Sequence, residues 1–388
     1  MKNDNVIIAG AGPVGLVAAL VLAQAGIKVQ VLEKRTELNQ ASKASTFHPP
    51  TLTILARLGI FNAINAKARH VDRLQYRTTE QGILGHISYD LLQGITPHPF
   101  RKHLEQSLVT PLLLQQLRLS PYAEVFFDTE MLDVVDEGEQ VTVHIQRHGR
   151  QEYLKARFLL GCDGAHSQVR QAAGISTSGE SYPGHVLRVR ADSSLETLLP
   201  DLAPVTYLVN DSHSASFLHM PDCWRIILRV PPEITLDTAH EDEWILQRLQ
   251  GLLPKLKRLP EIIGKDSYGA SKRIASHSQR GNILLAGDSL HLTNTRGGMN
   301  MNAGIHDAFH IARAMILAIQ DHDLPGLARA AQDRHRIAKE MLLPRTDVLV
   351  AQEGSWIDRV QRLLENEEEA YRYLIQTAML DMVDIPTQ

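Results

Sequence analysis

The sequence has little of several things that would place it in a class at once. It holds only two cysteines in 388 residues, Cys162 and Cys223. No disulfide framework can carry the fold, and two thiols alone do not suggest a zinc site. The 18 histidines are scattered without metal-ligand spacing, so no metal is expected and a reducing, cytoplasmic setting fits. Nor is there an excess of basic charge. Lys and Arg number 40 against 44 Asp and Glu, a net charge of -4. That excludes a global basic field for nucleic acid or anionic lipid. Long apolar runs are also missing. The stretch from Val6 to Gly26 comes nearest, but Gly10, Gly12, Pro13, Gly15 and Gly26 break it into strand, turn and helix rather than a membrane span. The opening MKNDN has no basic segment followed by an uninterrupted apolar core, so it does not read as a signal peptide.

What remains is ordinary for a globular enzyme, with 44% hydrophobic and 22% charged residues. The length suits two interlocked domains. No internal repeat, linker or low-complexity tract stands out. Val6 to Ala9 reads as a short buried strand, Pro13 to Ala25 as a helix closed by Gly26, and Lys28 to Leu32 as a second strand. Further helices are expected over Thr51 to Leu58, Glu105 to Arg118, Ser167 to Ala173, Glu243 to Leu253 and Asn302 to Gln320, with Pro111 limiting where the second can start. Alternating runs suggest antiparallel strands over Arg73 to Leu91, Phe126 to Ile145 and about 182 to 268. Phe158 to Gly161 and Asn282 to Ala286 read as short buried strands, and the tail from about Leu327 as mostly helical. The run Glu365 to Glu369 reads as a solvated helix face.

The segment GAGPVG, Gly10 to Gly15, lies between the first strand and the first helix. Gly10 permits a tight turn, Gly12 lets backbone approach a pyrophosphate, and Gly15 lets helix pack closely on strand. Pro13 and Val14 complete the turn, and the phosphates would sit at the positive end of the helix. Glu33 closes the second strand 18 residues after the last glycine, followed by Lys34. A carboxylate there accepts from ribose hydroxyls and repels a 2'-phosphate, so the dinucleotide expected is FAD or NAD rather than NADP.

Two later segments are more specific. GNILLAGDSLHL, Gly281 to Leu292, runs a buried strand into Gly287 and Asp288. It resembles the second FAD fingerprint of the flavin-dependent aromatic hydroxylases, the group A monooxygenases of the para-hydroxybenzoate hydroxylase type. The resemblance gives Asp288 a ribityl hydroxyl to bind and leaves His291 as local structure. LLGCDGAHSQVR, Leu159 to Arg170, is similar to the family's "DG" motif through Asp163, Gly164, Ser167 and Arg170. That motif is linked to both the flavin and the pyridine nucleotide. ASTFHPPTLTILARLGI, Ala44 to Ile60, is similar to a segment that closes over the flavin, with Lys43 where the family usually has arginine. HLEQSLVTPLLLQQL, His103 to Leu117, matches a helix that puts Gln106 near the ribityl chain. NTRGGMNMN, Asn294 to Asn302, matches a loop that usually reads PxGGxGMN. Gly297 and Gly298 are kept, and Met299 and Met301 stand beside them. Thr295 replaces the proline and Asn300 the later glycine. The resemblance covers about residues 4 to 340.

The fold implied is α/β. A Rossmann-like parallel-sheet FAD domain would comprise residues 1–70, 96–181 and 271–340. An antiparallel-sheet substrate domain, 71–95 and 182–270, would be inserted in it, and 341–388 would form a C-terminal helical segment. That segment would pack on the flavin domain or mediate dimerisation, so a monomer or homodimer is expected. The chemistry implied is reduction of FAD by NADH or NADPH, reaction with dioxygen to a hydroperoxide, and transfer of one oxygen to a small aromatic or heteroaromatic ring. Tyr207, His219 and Thr295 are candidates for contact with the reacting substrate, with His48 and Arg296 as further lining residues. Arg225 and Arg229 share a strand face and read as solvent-facing or ion-paired, and Cys162 as a small core residue. Two rival readings stand: a flavin oxidase or reductase without oxygen insertion, and a non-catalytic binding protein on the same scaffold. A flavin halogenase is disfavoured because its WxWxIP motif does not occur.

Overall fold

The computed structural model of the chain describes residues 4–41, 44–210, 213–348 and 356–385. Its centre is a six-stranded sheet in the order Gln279–Arg280, Ile283–Leu285, Phe158–Gly161, Val6–Ala9, Val29–Leu32, Ala123–Phe126. Every pairing is parallel except the edge pair of Gln279–Arg280 with Ile283–Leu285. The period of two along these strands divides the core. Val6, Ile8, Val29, Val31 and Leu160 face the helices Pro13–Gln24, Gln106–Leu117 and Met299–Gln320. Ile7, Ala9, Leu32 and Leu159 face a three-stranded antiparallel sheet, Thr129–Asp136, Val141–Arg147 and Arg150–Ala156. Covering both faces is what a parallel sheet requires, and it explains why these strands are continuously apolar. The helix Pro13–Gln24 is apolar all round for the same reason: it is enclosed by sheet and helices, with Leu16 to Ala23 buried.

A second, seven-stranded sheet has the order Ile262–Tyr268, His185–Ala191, Trp224–Val230, Ser214–His219, Val205–Val209, Arg73–Thr78, Gly82–Ser88. Only the pairing of Val205–Val209 with Arg73–Thr78 is parallel. The helix Asp242–Leu252 covers its outer face through Ile245, Leu249 and Leu252, against Leu187, Phe217, Ile226 and Leu228. The fold is therefore α/β with parallel and antiparallel sheets and C-terminal helices. Among the described residues no helix is long and apolar enough to cross a membrane.

Three expectations change. Pro111 lies inside the helix Gln106–Leu117 rather than near its start. Burial of Val109, Leu113, Leu114 and Leu117 outweighs the one backbone bond that proline removes. The run Glu365 to Glu369 is a junction, not one helix face. Glu365 ends the helix Trp356–Glu365, and the Asn366 side chain accepts from the Glu369 N–H at 3.1 Å to cap Glu367–Thr377. Three glutamates in that first turn complement the helix dipole. Finally, these two C-terminal helices rest on the seven-stranded sheet. Val360, Leu363, Ala370 and Leu374 pack with Val71, Leu74, Tyr76 and Tyr89. A Cβ at Gly85 would meet Leu364, so glycine admits the close approach. Beyond them, Met379 and Met382 return to Met299 and Ala303 of the long helix, and Ile385 packs against the same helix's core cluster.

Candidate functional site

The parallel sheet reverses its strand order at Val6–Ala9, with Val29–Leu32 on one side and Phe158–Gly161 on the other. A crevice opens at the carboxyl ends of the strands there. The glycine turn forms its wall. Gly10 has φ +103° and a Cβ on it would strike the Cys162 carbonyl; a Cβ on Gly15 would strike the Gly10 carbonyl. At Gly12 an added Cβ meets nothing within 4 Å, because it points into a cavity. Gly12 is also the N-cap of Pro13–Gln24 and makes no side-chain cap bond, leaving first-turn N–H groups directed at that space.

The cavity has a volume of about 1240 Å³ and is continuous from this turn to the C-terminal helices. Its first part is lined by Gly10, Gly12, Pro13, Val14, Glu33 and Lys34. Glu33 Oε2 accepts from the Ala11 N–H at 3.0 Å and Oε1 from the Arg35 N–H at 3.1 Å. A carboxylate has about four acceptor positions, so capacity remains for a ligand. Gly15 and Gly287 lie beneath the wall rather than in it. A Cβ on Gly287 would press on the Val14 side chain, so its place is in packing. Lys43 falls outside the described residues.

The middle of the cavity brings together Gln106, Asp163, Asp288, Met299, Asn300 and Met301. Asp163 Oδ2 accepts from the N–H groups of Gln168 and Val169 at 2.7 and 3.1 Å, while its buried Oδ1 has no protein partner. Arg170 lies away from the cavity. It donates to the carbonyls of Ser289 and Ala165 at 3.0 and 3.1 Å, which ties the Asp163 segment to the Asp288 segment. Asp288 accepts from Asn300 Nδ2 at 2.7 Å, and the buried Asn300 Oδ1 has no protein partner. Behind them the Gly287 N–H donates to Asp307 Oδ2 at 3.2 Å. His291 Nε2 and Arg334 Nε each approach Asp307 to 2.8 Å. Burial opposes ionisation of Asp307, but Arg334 and His291 outweigh it and hold the carboxyl well below the usual range. His291 thus serves local structure.

The loop before the long helix places Gly297 and Gly298 at φ +76° and +64°. His48 braces it from behind and does not line the cavity, against expectation. Its N–H donates to Asn302 Oδ1 at 3.0 Å. Burial keeps its ring neutral, so Nε2–H donates to the Gly297 carbonyl at 2.8 Å. Thr295 and Arg296 do line the cavity; the Thr295 hydroxyl is 3.0 Å from the Tyr268 hydroxyl.

The far part of the cavity is floored by one register row of the seven-stranded sheet. Asp266, Arg188, Ile227, Ser216, Tyr207 and Tyr76 follow each other across five adjacent pairings. Tyr207 is therefore in place. His219 is not: it stacks on Trp224 with ring centroids 4.2 Å apart and lines a separate cavity of about 270 Å³ with Arg69 and Glu196. Burial and Arg69 lower its pKa to about 4. Its strand ends at His219, so the side chain belongs to the sheet edge rather than the floor. Arg225 and Arg229 both face the cavity rather than solvent, and for Arg225 the ion-paired alternative holds. Arg225 is 2% exposed, donates to Ser45 Oγ at 2.7 Å and pairs with Glu105.

Several lining residues had no signal in the sequence. Arg101 and His103 line the cavity from the buried strand Arg101–His103. His103 Nδ1 lies 2.9 Å from the His219 carbonyl. Burial lowers its pKa to about 3, so the ring is neutral and Nδ1 carries the hydrogen. Its buried Nε2 is then a bare acceptor with no protein partner. Trp356, Val360, Leu363 and Tyr373 come from the C-terminal helices and close this end. The Tyr76 hydroxyl donates to that of Tyr373 at 2.9 Å.

Known proteins match this arrangement. A family model described as an FAD binding domain matches residues 3–343. The para-nitrophenol 4-monooxygenase of a Pseudomonas species is 27% identical over 399 residues, covering 98% of this chain and 95% of that protein. The 6-hydroxy-3-succinoylpyridine 3-monooxygenase of Pseudomonas putida is 26% identical over 349 residues, covering 88% and 87%. In fold, the crystal structure of p-nitrophenol 4-monooxygenase from Pseudomonas putida superposes with a TM-score of 0.87 at 23% identity, covering 98% of both chains.

Proposed function

The chain belongs to the FAD-binding domain family, and from that premise we propose that it is an NAD(P)H-dependent monooxygenase that hydroxylates a small aromatic substrate. The observation that carries this reading is the continuity of one cavity from a dinucleotide-type glycine turn to a chamber floored by tyrosines. The volume exceeds the several hundred cubic ångströms of an ordinary ligand pocket, which suits a dinucleotide with a second small molecule beside it. The residues present fit FAD. Gly12 opens onto the cavity, the helix start offers N–H groups, and Asp163 Oδ1 and Asn300 Oδ1 are buried acceptors awaiting donors. The activities of the two Pseudomonas relatives favour oxygen insertion over an oxidase or a non-catalytic binding protein.

In this reading Gly10 to Val14 hold the pyrophosphate and Glu33 the adenosine ribose. Asp288, oriented by Asn300, holds a ribityl hydroxyl, with Gln106 and Asp163 on the other walls. Gly298 to Met301 would present backbone N–H groups to the flavin ring at the positive end of the long helix. Bound FAD, reduced by NADH or NADPH, supplies dioxygen activation and oxygen transfer. The protein orients the ring to be hydroxylated and excludes water. Tyr207, Ser216 and Thr295 offer hydroxyls from floor and loop, and His103 Nε2 accepts from a phenolic hydroxyl. Trp356, Val360 and Leu363 close the apolar side. The test is the purified protein's visible spectrum together with NAD(P)H oxidation in the presence of phenols and hydroxypyridines. A flavin spectrum and an aromatic-stimulated rate are expected. A colourless protein that cannot be reconstituted with FAD would sink the proposal.

A further inference from the structure

Thioethers are gathered behind the flavin-facing loop. Of nine methionines, Met299, Met379 and Met382 are buried in one small cluster with Ala303 and Leu342, and Met341 packs against it. Met299 is the member that also lines the cavity, directly after the Gly297–Gly298 turn. On its far side the cluster docks the turn Leu380–Met382, which follows the helix Glu367–Thr377. Met379 holds φ +63°, a left-handed conformation that a residue other than glycine keeps only where its surroundings enforce it. The Met382 carbonyl accepts from Arg334 Nη1 at 2.7 Å, and the same guanidinium donates through Nε to Asp307 Oδ1 at 2.8 Å. Asp307 in turn accepts from the Gly287 N–H. A line of contacts therefore runs from Met299, through the tail, to the turn that carries Asp288. From outside, Arg345 Nη2 pairs with Asp381 Oδ2 at 2.6 Å, a second anchor for the tail that contains no sulfur.

We propose that Met299 is a site of oxidative modification: hydrogen peroxide formed in the cavity converts its thioether to the sulfoxide, and the sulfoxide loosens the tail and the FAD turn with it. This rests on the monooxygenase reading, because NAD(P)H and dioxygen yield hydrogen peroxide when bound FAD is reduced and no aromatic takes the oxygen. The step balances without a further reagent. The sulfur lone pair attacks one peroxide oxygen, an S–O bond forms and the O–O bond breaks. The thioether gives up two electrons, and the departing oxygen leaves as water with both protons. A thioether is apolar and flexible, which lets several fill one irregular space between helix and tail. A sulfoxide oxygen is a strong hydrogen-bond acceptor, and among alkyl chains and thioethers it gives up water without gaining a donor. The rival role for Met299 is packing alone. Packing survives the exchange of sulfur for carbon and does not respond to peroxide made in the cavity.

The experiment uses FAD-loaded protein in the dark, with catalase in the solution to destroy peroxide that escapes. Bound FAD is reduced anaerobically with one equivalent of dithionite and reoxidised by air, over repeated cycles. A parallel run without catalase measures the peroxide made. Sulfoxides are mapped by mass spectrometry of the digested chain, with hydrogen exchange of residues 378–385 and retained FAD followed alongside. Met299 sulfoxide should accumulate about tenfold or more faster than sulfoxide at Met220 or Met315, which are buried away from the cavity. The tail should exchange about tenfold faster as it does so, with FAD lost in step. Met299→Leu, of similar volume but without sulfur, should keep its tail and its FAD through the same cycles. Met299→Gln, which sets a carbonyl oxygen in the cluster, should show the loosened tail before any cycle and serves if the leucine variant does not fold. Peroxide without Met299 sulfoxide would overturn this inference and leave the monooxygenase reading standing. Met299 sulfoxide with unchanged tail exchange and FAD retention, or equal loosening in Met299→Leu, would also overturn it. Protein that takes up no FAD, or makes no peroxide on reoxidation, would sink both together.

Discussion

Replacing Asp307 tests how the cofactor turn is held in place. Asp307 is fully buried and takes three hydrogen bonds: from the Gly287 N–H at 3.2 Å, and from His291 Nε2 and Arg334 Nε at 2.8 Å. Asp307→Ala removes all three and leaves Arg334, itself 4% exposed, without its carboxylate. Breaking a buried pair in this way costs about 3–5 kcal/mol. Because the Gly287 N–H loses its acceptor, the turn carrying Asp288 should loosen and FAD should be released more readily. The assay is denaturant unfolding of apo- and FAD-loaded protein with FAD titration alongside. Asp307→Asn, isosteric but uncharged, should fall between wild type and alanine. The sign with pH follows from the direction of the shift. The Asp307 carboxyl is held below its unfolded value, so its contribution is complete above about pH 4 and is lost as pH falls towards the folded value. The wild-type advantage over Asp307→Asn should therefore be flat from about pH 5 to 8 and shrink only below about 4. A loss under about 1 kcal/mol for Asp307→Ala, or an advantage that vanishes near neutrality, would refute the reasoning.

Two further substitutions probe the walls of the cavity. Asp288→Ala should weaken FAD binding by about 1.5–3 kcal/mol, since a charge-assisted hydrogen bond is lost; unchanged affinity in an equilibrium titration would remove Asp288 from the site. Gly15→Ala drives a Cβ into the Gly10 carbonyl, which is backbone and cannot turn aside. It should yield protein that purifies without flavin and melts earlier, whereas Gly12→Ala, whose Cβ points into open space, should fold normally and fail only in FAD affinity.

The cofactor half of the site was legible in the sequence because its roles rest on backbone. A strand, a glycine turn, a helix and an acid at fixed offsets dictate local geometry wherever they occur. Asp288 was reached only through the resemblance of its segment to a family fingerprint, and Gly287 beside it packs under Val14 rather than lining the cavity. The substrate half was not legible, because its floor is a register row assembled from six strands spread between Arg73 and Tyr268. Tyr207 and Tyr76 meet only through a parallel pairing, and nothing in either segment announces it. Alternation along Trp224–Val230 gave the shared face of Arg225 and Arg229, but not which face looked inward. His48 and His219 misled for a related reason. Each lies next to a cavity-lining segment, but His48 turns behind its loop and His219 past the end of its strand. The tail was read as mostly helical, but the surface its helices cover is decided only by packing.

Oxygen insertion is the central claim, and labelled dioxygen tests it most directly. FAD-loaded protein, NADH or NADPH, and an aromatic that accelerates their oxidation would be incubated under labelled dioxygen, and the product analysed by mass spectrometry. One labelled oxygen atom per product molecule, with the other leaving as water, is the result expected. Turnover of the aromatic with no label in the product would contradict the account and leave an oxidase in its place.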